Sequence, residues 1–185
     1  MRFLGIGDSC DLGALYLRLL GEGHEVRVHV ALPICHGTLA GMVTRIDDWK
    51  SELDWIRAAG DEGIILFENV AAERGTLQDE LRRAGFNVIG GSAYGDRLEN
   101  DRGFAQDVLR GLGLSIAPVR TFRDRAAGIE FLQKNPGRYV AKFNAAYETF
   151  VGERDDGRDV RAFLKGLPSQ GASESFVLMQ FVDGV

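Results

Sequence analysis

A lysine stands inside the apolar run Tyr139-Val140-Ala141-Lys142-Phe143. A strand that carries one ammonium among apolar neighbours is costly unless the charge reaches water or an anion. Two readings follow: Lys142 snorkels from an edge strand to solvent, or it meets an anionic group such as a phosphate. A second candidate is Gly5-Ile6-Gly7-Asp8-Ser9, a Gly-x-Gly turn that can bring backbone amides against a phosphate at the start of the following helix. It lacks the third glycine of dinucleotide spacing, and no acidic residue closes the next strand after Val30, which argues against a Rossmann-like dehydrogenase. Glu68 places a carboxylate near the end of another strand. Cys35-His36 offers a thiol beside an imidazole, but adjacent side chains rarely face each other and no third group orients them. Cys10 and Cys35 have neither metal-ligand spacing nor the count of a disulfide framework, so no metal site is expected. His24 and His29 read as surface-facing positions.

Composition bounds the protein that carries these groups. With 185 residues, 45% apolar and 26% charged, the chain is long enough to bury the core of one or two globular domains. Its net charge of −5 argues against nucleic-acid or membrane-surface partners, because phosphate backbones and anionic lipids repel an acidic surface. No apolar run approaches the roughly 20 residues that span a bilayer, and Arg2-Phe3-Leu4-Gly5-Ile6 does not open like a signal peptide. The cytoplasm is the expected compartment.

The elements that must position the candidates alternate through the first ninety or so residues. Arg2 to Ile6 reads as a strand and Leu12 to Leu20 as a helix ended by Gly21-Glu22-Gly23. Glu25 to Val30 alternates as a second strand, followed by a loop with Pro33 and Gly37. Asp47 or Asp48 caps a helix with Trp49, Leu53 and Ile56 on one face. The strand Gly63 to Phe67, a helix around Leu77 to Arg83 and the strand Asn87 to Ile89 complete a doubly wound parallel sheet. Such sheets bind ligands beyond the carboxyl ends of their strands, which directs attention to Gly5-Ile6-Gly7-Asp8-Ser9 and to Glu68-Asn69.

The pattern changes after Pro118. Strand Val119 to Phe122, helix Arg125 to Lys134, strands Tyr139 to Phe143 and Glu148 to Gly152, helix Arg158 to Leu167 and strand Ser175 to Val182 form a β-α-β-β-α-β unit. Pro136-Gly137 and Pro168 punctuate it. The expected fold class is α/β: a Rossmann-like parallel-sheet domain followed by a small α+β subdomain.

Between the two halves lie Val88-Ile89-Gly90, Ser92, Leu98-Glu99 before Arg102, a helix from Phe104 to Arg110, and Gly113-Leu114 before Pro118. With Lys142 in its strand, this order resembles the ATP-grasp ligases, most nearly phosphoribosylamine-glycine ligase. The resemblance implies a pre-ATP-grasp domain over residues 1–91, a connecting helix segment over 92–118 and an ATP-grasp lid subdomain over 119–185, truncated at its end. It implies ATP-dependent C–N bond formation in purine biosynthesis: a carboxylate attacks the terminal phosphate, and an amine displaces phosphate from the acyl phosphate. Arg102 and Lys142 would meet ATP phosphates, Met179, Gln180, Phe181 and Val182 would hold the adenine, and Gly7, Asp8 and Glu68 would face substrate. The partners implied are small molecules: an amino acid or other carboxylate, and an amine. Magnesium ligands and the ribose carboxylate are expected beyond Val185, so the 185-residue chain alone is expected to be inactive.

The chain departs from the family in four places. Asp8-Ser9-Cys10-Asp11-Leu12 replaces Gly-Gly-Arg-Glu-His, and Phe67-Glu68-Asn69-Val70 replaces a Gly-Pro-Glu segment, which leaves the phosphoribosylamine substrate open. After Lys142 no glycine occurs until Gly152, where the family has a glycine-rich phosphate loop. Met179 stands where the family has a glutamate against the adenine amino group, and it accepts hydrogen bonds poorly, so adenine selectivity is expected to be weaker or shifted to Gln180. The non-glycine loop and Met179 favour the alternative of a degenerate nucleotide-binding or scaffold module without catalysis.

Overall fold

The computed structural model describes residues 1–68, 74–144, 149–168 and 175–184. They form two compact units, Met1–Asp96 and Arg97–Val185.

In the first unit, β1 (Arg2–Gly7), β2 (Glu25–Val30), β3 (Thr44–Arg45), β4 (Gly63–Phe67) and β5 (Asn87–Ile89) make one sheet in the order β3-β2-β1-β4-β5. Every neighbouring pair is parallel. The central strand is apolar and buried from Phe3 onward, as a strand covered on both faces must be. Helix α1 (Gly13–Gly21) buries Tyr16 and Leu19 against Phe3, Val26, Val28 and Leu66 on one face. On the other, α2 (Leu53–Arg57) and α3 (Arg74–Arg83) bring Ile56 and Leu81 against Leu4, Ile6, Ile65 and Phe67. These two apolar layers make the sheet doubly wound. Asp48, one of the two expected caps, accepts from the Lys50 N–H at 2.9 Å, but it caps a 3₁₀ turn, Trp49–Glu52, that leads into α2.

The segment expected to be a loop after β2 holds a 3₁₀ turn at Pro33–Cys35 and the edge strand β3. The connecting segment contains two helices, α4 (Ala93–Asn100) and α5 (Arg102–Gly111), and Asp101 separates them by accepting the Phe104 N–H at 3.0 Å.

The second unit follows the expected order: β6 (Val119–Phe122), α6 (Arg125–Lys134), β7 (Tyr139–Phe143), β8 (Phe150–Val151), α7 (Arg158–Gly166) and β9 (Phe176–Gln180). Its sheet runs β6-β9-β7-β8 and every pair is antiparallel. Helices α6 and α7 cover one face, where Leu132, Val160 and Leu164 meet Ala141, Phe143, Phe176 and Leu178. Gly128 permits this approach, since a Cβ there would lie 2.5 Å from Phe176 Cζ. The start of the expected strand at Glu148 lies outside the described residues, as do Asn69, Val70 and the 145–148 part of the loop after Lys142.

Candidate functional site

In the first unit the end of β1 is built around Glu68. Its carboxylate accepts the Tyr16 hydroxyl at 2.6 Å and the Asp11 N–H at 2.8 Å, the latter just before α1. The two glycines of the Gly-x-Gly turn make room for this pair. A Cβ on Gly5 would lie 2.3 Å from the Tyr16 hydroxyl oxygen, and one on Gly7 would lie 2.1 Å from Glu68 Oε2. The space in front of Gly7 therefore holds a carboxylate, and the Asp11 amide before the helix already has an acceptor. Asp8 forms an ion pair with Arg74. Burial, and then the Glu68 hydrogen bond and charge, push the Tyr16 phenol far above its ordinary range, so it stays a donor. Cys10 is buried with a positive φ of 69°, and burial followed by the Glu68 charge raises its thiol. Gly7, Asp8 and Glu68 thus share one end of the sheet, with Tyr16 as the partner that sequence reasoning missed.

His29 is not the surface-facing residue expected. It is half-buried in the wall of a pocket, and its Nδ1 is shut off from solvent without a partner. The alternation of β2 gave its side a polar reading, whereas His36 and the residues at and just after the end of β3, Arg45 to Asp47, share the pocket wall with it.

In the second unit, strand register decides which candidates share a face. Lys142 pairs with Val177 and Val140 with Met179, so Lys142 and Met179 lie on the face opposite the Phe143–Phe176–Leu178 core. Lys142 is half-buried, and among the described residues no carboxylate lies within ion-pair distance of it. Asn144, two residues on, accepts the Arg102 N–H at 3.0 Å and donates to Ser175 Oγ at 2.6 Å. This ties the first turn of α5 to the end of β7 and brings Arg102 to the strand that carries Lys142. Arg102 forms no ion pair with Glu99, and its Nε is buried without a partner. The Arg102 backbone is thus fixed beside the end of β7, and Asn144 is the link that sequence reasoning missed.

The segment Met179–Val182 is held by its backbone. The Gln180 N–H donates to the Pro118 carbonyl at 2.9 Å, and the Phe181 N–H to the Arg138 carbonyl at 2.9 Å. In an antiparallel ladder a hydrogen-bonded pair exchanges two bonds. Pro118 has no N–H to return, so the Gln180 carbonyl has no partner from that residue. Gln180 and Pro118 line a pocket of about 380 Å³. Arg138 lies over the Phe181 ring, 3.5 Å from its centroid, and fixes the chain just past β9. The Gln180 side chain is on the helix side of the sheet with Leu178, not with Lys142.

Among the described residues no cluster of three or more His, Cys, Asp or Glu is placed to hold a metal ion. No helix among them is long and apolar enough to cross a membrane.

No protein-family profile and no curated protein sequence matches the chain. Solved structures do. Phosphoribosylamine-glycine ligase from Thermotoga maritima superposes with a TM-score of 0.70 at 16% identity, over 100% of this chain and 45% of the ligase. N5-carboxyaminoimidazole synthetase from Staphylococcus aureus, complexed with ADP, gives 0.61 at 14% identity over 98% and 47%. D-alanine–D-alanine ligase from Bacillus anthracis, complexed with ATP, gives 0.55 at 14% identity over 100% and 60%. The chain spans about half the length of the first two. At these identities the likeness is one of architecture: the parallel five-stranded sheet followed by the antiparallel four-stranded sheet is the fold of ATP-grasp ligases over that part of their length.

Proposed function

We propose that this chain forms the nucleotide-receiving part of an ATP-dependent ligase that joins a carboxylate to an amine, in the manner of phosphoribosylamine-glycine ligase. The observation that carries this reading is Lys142, a half-buried cation without a carboxylate partner among the described residues, on the same sheet face as Met179 and linked through Asn144 to Arg102. Two cations at one strand end are suited to polyphosphate oxygens, where each lowers the repulsion met by an attacking carboxylate. In the reaction proposed, a carboxylate oxygen bonds to the terminal phosphorus as the bond to ADP breaks. The amine then displaces phosphate from the acyl carbon. Magnesium, when bound with the nucleotide, would neutralise charge on the phosphates.

Adenine is proposed to lie against Met179 and the backbone from Gln180 to Val182. The Gln180 carbonyl, left without a return bond from Pro118, is a ready acceptor for an exocyclic amino group. Gly7, Asp8 and Glu68 are proposed to face the substrate. A pre-ATP-grasp domain over 1–91, a connecting segment over 92–118 and a lid over 119–185 remain the proposed functional division.

The test is an equilibrium titration with ATP and magnesium, comparing the parent with Lys142→Ala. Removal of a charge-assisted bond is expected to weaken binding by about 1.5–3 kcal/mol. An unchanged dissociation constant would make Lys142 a solvated strand residue and remove the basis of the reading.

A further inference from the structure

The first unit contains a second polar pocket, separate from the groups around Glu68. It has a volume of about 460 Å³ and is lined by His29, Val30, Ala31, His36, Arg45 and Ile46, with the exposed Asp47 also in its wall. It opens where β2 ends and β3 ends, at the carboxyl edge of the parallel sheet, which is where sheets of this kind take ligands.

Its polar side chains are one guanidinium, two imidazoles and one carboxylate. Arg45 is anchored through Nη2 to the Thr38 carbonyl, while its Nε and Nη1 are buried without partners. The His29 Nδ1 is also buried and unpartnered. Buried donors left unmatched cost stability that a bound acceptor restores. Among the described residues no carboxylate lies within ion-pair distance of Arg45. Its charge does act on Cys10 and Tyr16, where it opposes the effects of burial and of Glu68. Asp47 subtracts from the positive field but is exposed, where solvent screens it.

We infer that this pocket binds the phosphate group of a small phosphorylated metabolite. Arg45, His29 and His36 stand around one space and offer donors from three residues, which suits the several oxygens of a tetrahedral dianion. The volume exceeds that of inorganic phosphate, and Val30, Ala31 and Ile46 supply apolar wall for an organic body. The inference rests on the first unit alone and holds whether or not Lys142 meets ATP.

The test is calorimetric titration of the whole chain, without nucleotide, with glycerol 3-phosphate as probe and glycerol and succinate as controls. Saturable binding of the phosphate ester that inorganic phosphate displaces is expected, with neither control binding comparably. Arg45→Gln should weaken it at least about tenfold, a loss of about 1.4 kcal/mol. Ala31→Glu, on an exposed wall residue where folding is undisturbed, should weaken it as much by placing a negative charge in the pocket. The inference is overturned if no saturation is seen, if succinate or glycerol binds equally, or if Ala31→Glu binds as well as the parent.

Discussion

Tyr16 reaches across the space left by Gly5 to donate its hydroxyl to Glu68 at 2.6 Å, and Glu68 in turn fills the space left by Gly7. Two glycines, a tyrosine on α1 and a carboxylate past β4 thus form one steric and polar unit at the end of the central strand. Here the Gly-x-Gly spacing serves close side-chain approach.

The first prediction follows from that unit. Gly7→Ala forces Glu68 aside and should destabilise the protein by about 1–3 kcal/mol. Tyr16→Phe removes a donor from a partly buried carboxylate and should cost about 1–3 kcal/mol. The two routes meet at Glu68, so the Gly7→Ala cost should largely vanish in a Glu68→Ala background. Urea denaturation of the parent, the three single variants and the Gly7→Ala/Glu68→Ala double variant checks this, and additive losses of Gly7→Ala and Glu68→Ala would show that Glu68 is not what occupies the space before Gly7.

The second prediction concerns base selectivity. Pro118→Ala supplies the missing N–H and completes the bond pair with Gln180, so the carbonyl is no longer free for an amino group. ATP binding should weaken and its preference over GTP should fall by about tenfold, or about 1.4 kcal/mol. Competitive titration of the two nucleotides reads this directly. A preserved preference would place the adenine amino group elsewhere.

Much of this architecture was legible in the sequence where the local signal is strong. Helix Arg125–Lys134 and strand Tyr139–Phe143 occur with the expected bounds, because Asp124 caps the first through the Ala127 N–H and an apolar run with a single cation marks the second. Strand β3 was missed because two residues, Thr44 and Arg45, show no alternation and owe their pairing to β2. Helix α4 was missed because Ala93–Asn100 is mostly polar, holds Gly95 and has no apolar periodicity to mark it, whereas the helix expected from Phe104 to Arg110 occurs as α5, starting at Arg102 behind its Asp101 cap. At the candidate sites the residue types were readable but their partners were not. Nothing local ties Tyr16 to Glu68, Arg102 to Asn144 or Pro118 to Gln180, since each pair is set by sheet register or helix docking.

The third prediction concerns acid stability of the second unit. Asp159, at the start of α7, accepts the backbone N–H groups of Glu153 at 2.6 Å, Arg154 at 3.1 Å and Val160 at 2.9 Å. Burial works to raise its carboxyl, but these backbone donors together outweigh it and hold the group below its ordinary value of 3.8. A carboxyl depressed in the folded state binds its proton more readily when unfolded. Its contribution is therefore complete above the ordinary value of 3.8 and is lost as pH falls through the lower folded value. Asp159→Asn should lower stability near neutral pH by about 1–2 kcal/mol, the modest end of the range for charge-assisted bonds because the site is partly exposed. The gap between parent and variant should then narrow in acid, below the ordinary carboxyl range. Melting curves of both proteins across that interval give the answer, and a gap that stays constant with pH would mean that the Asp159 charge does not hold the turn between β8 and α7.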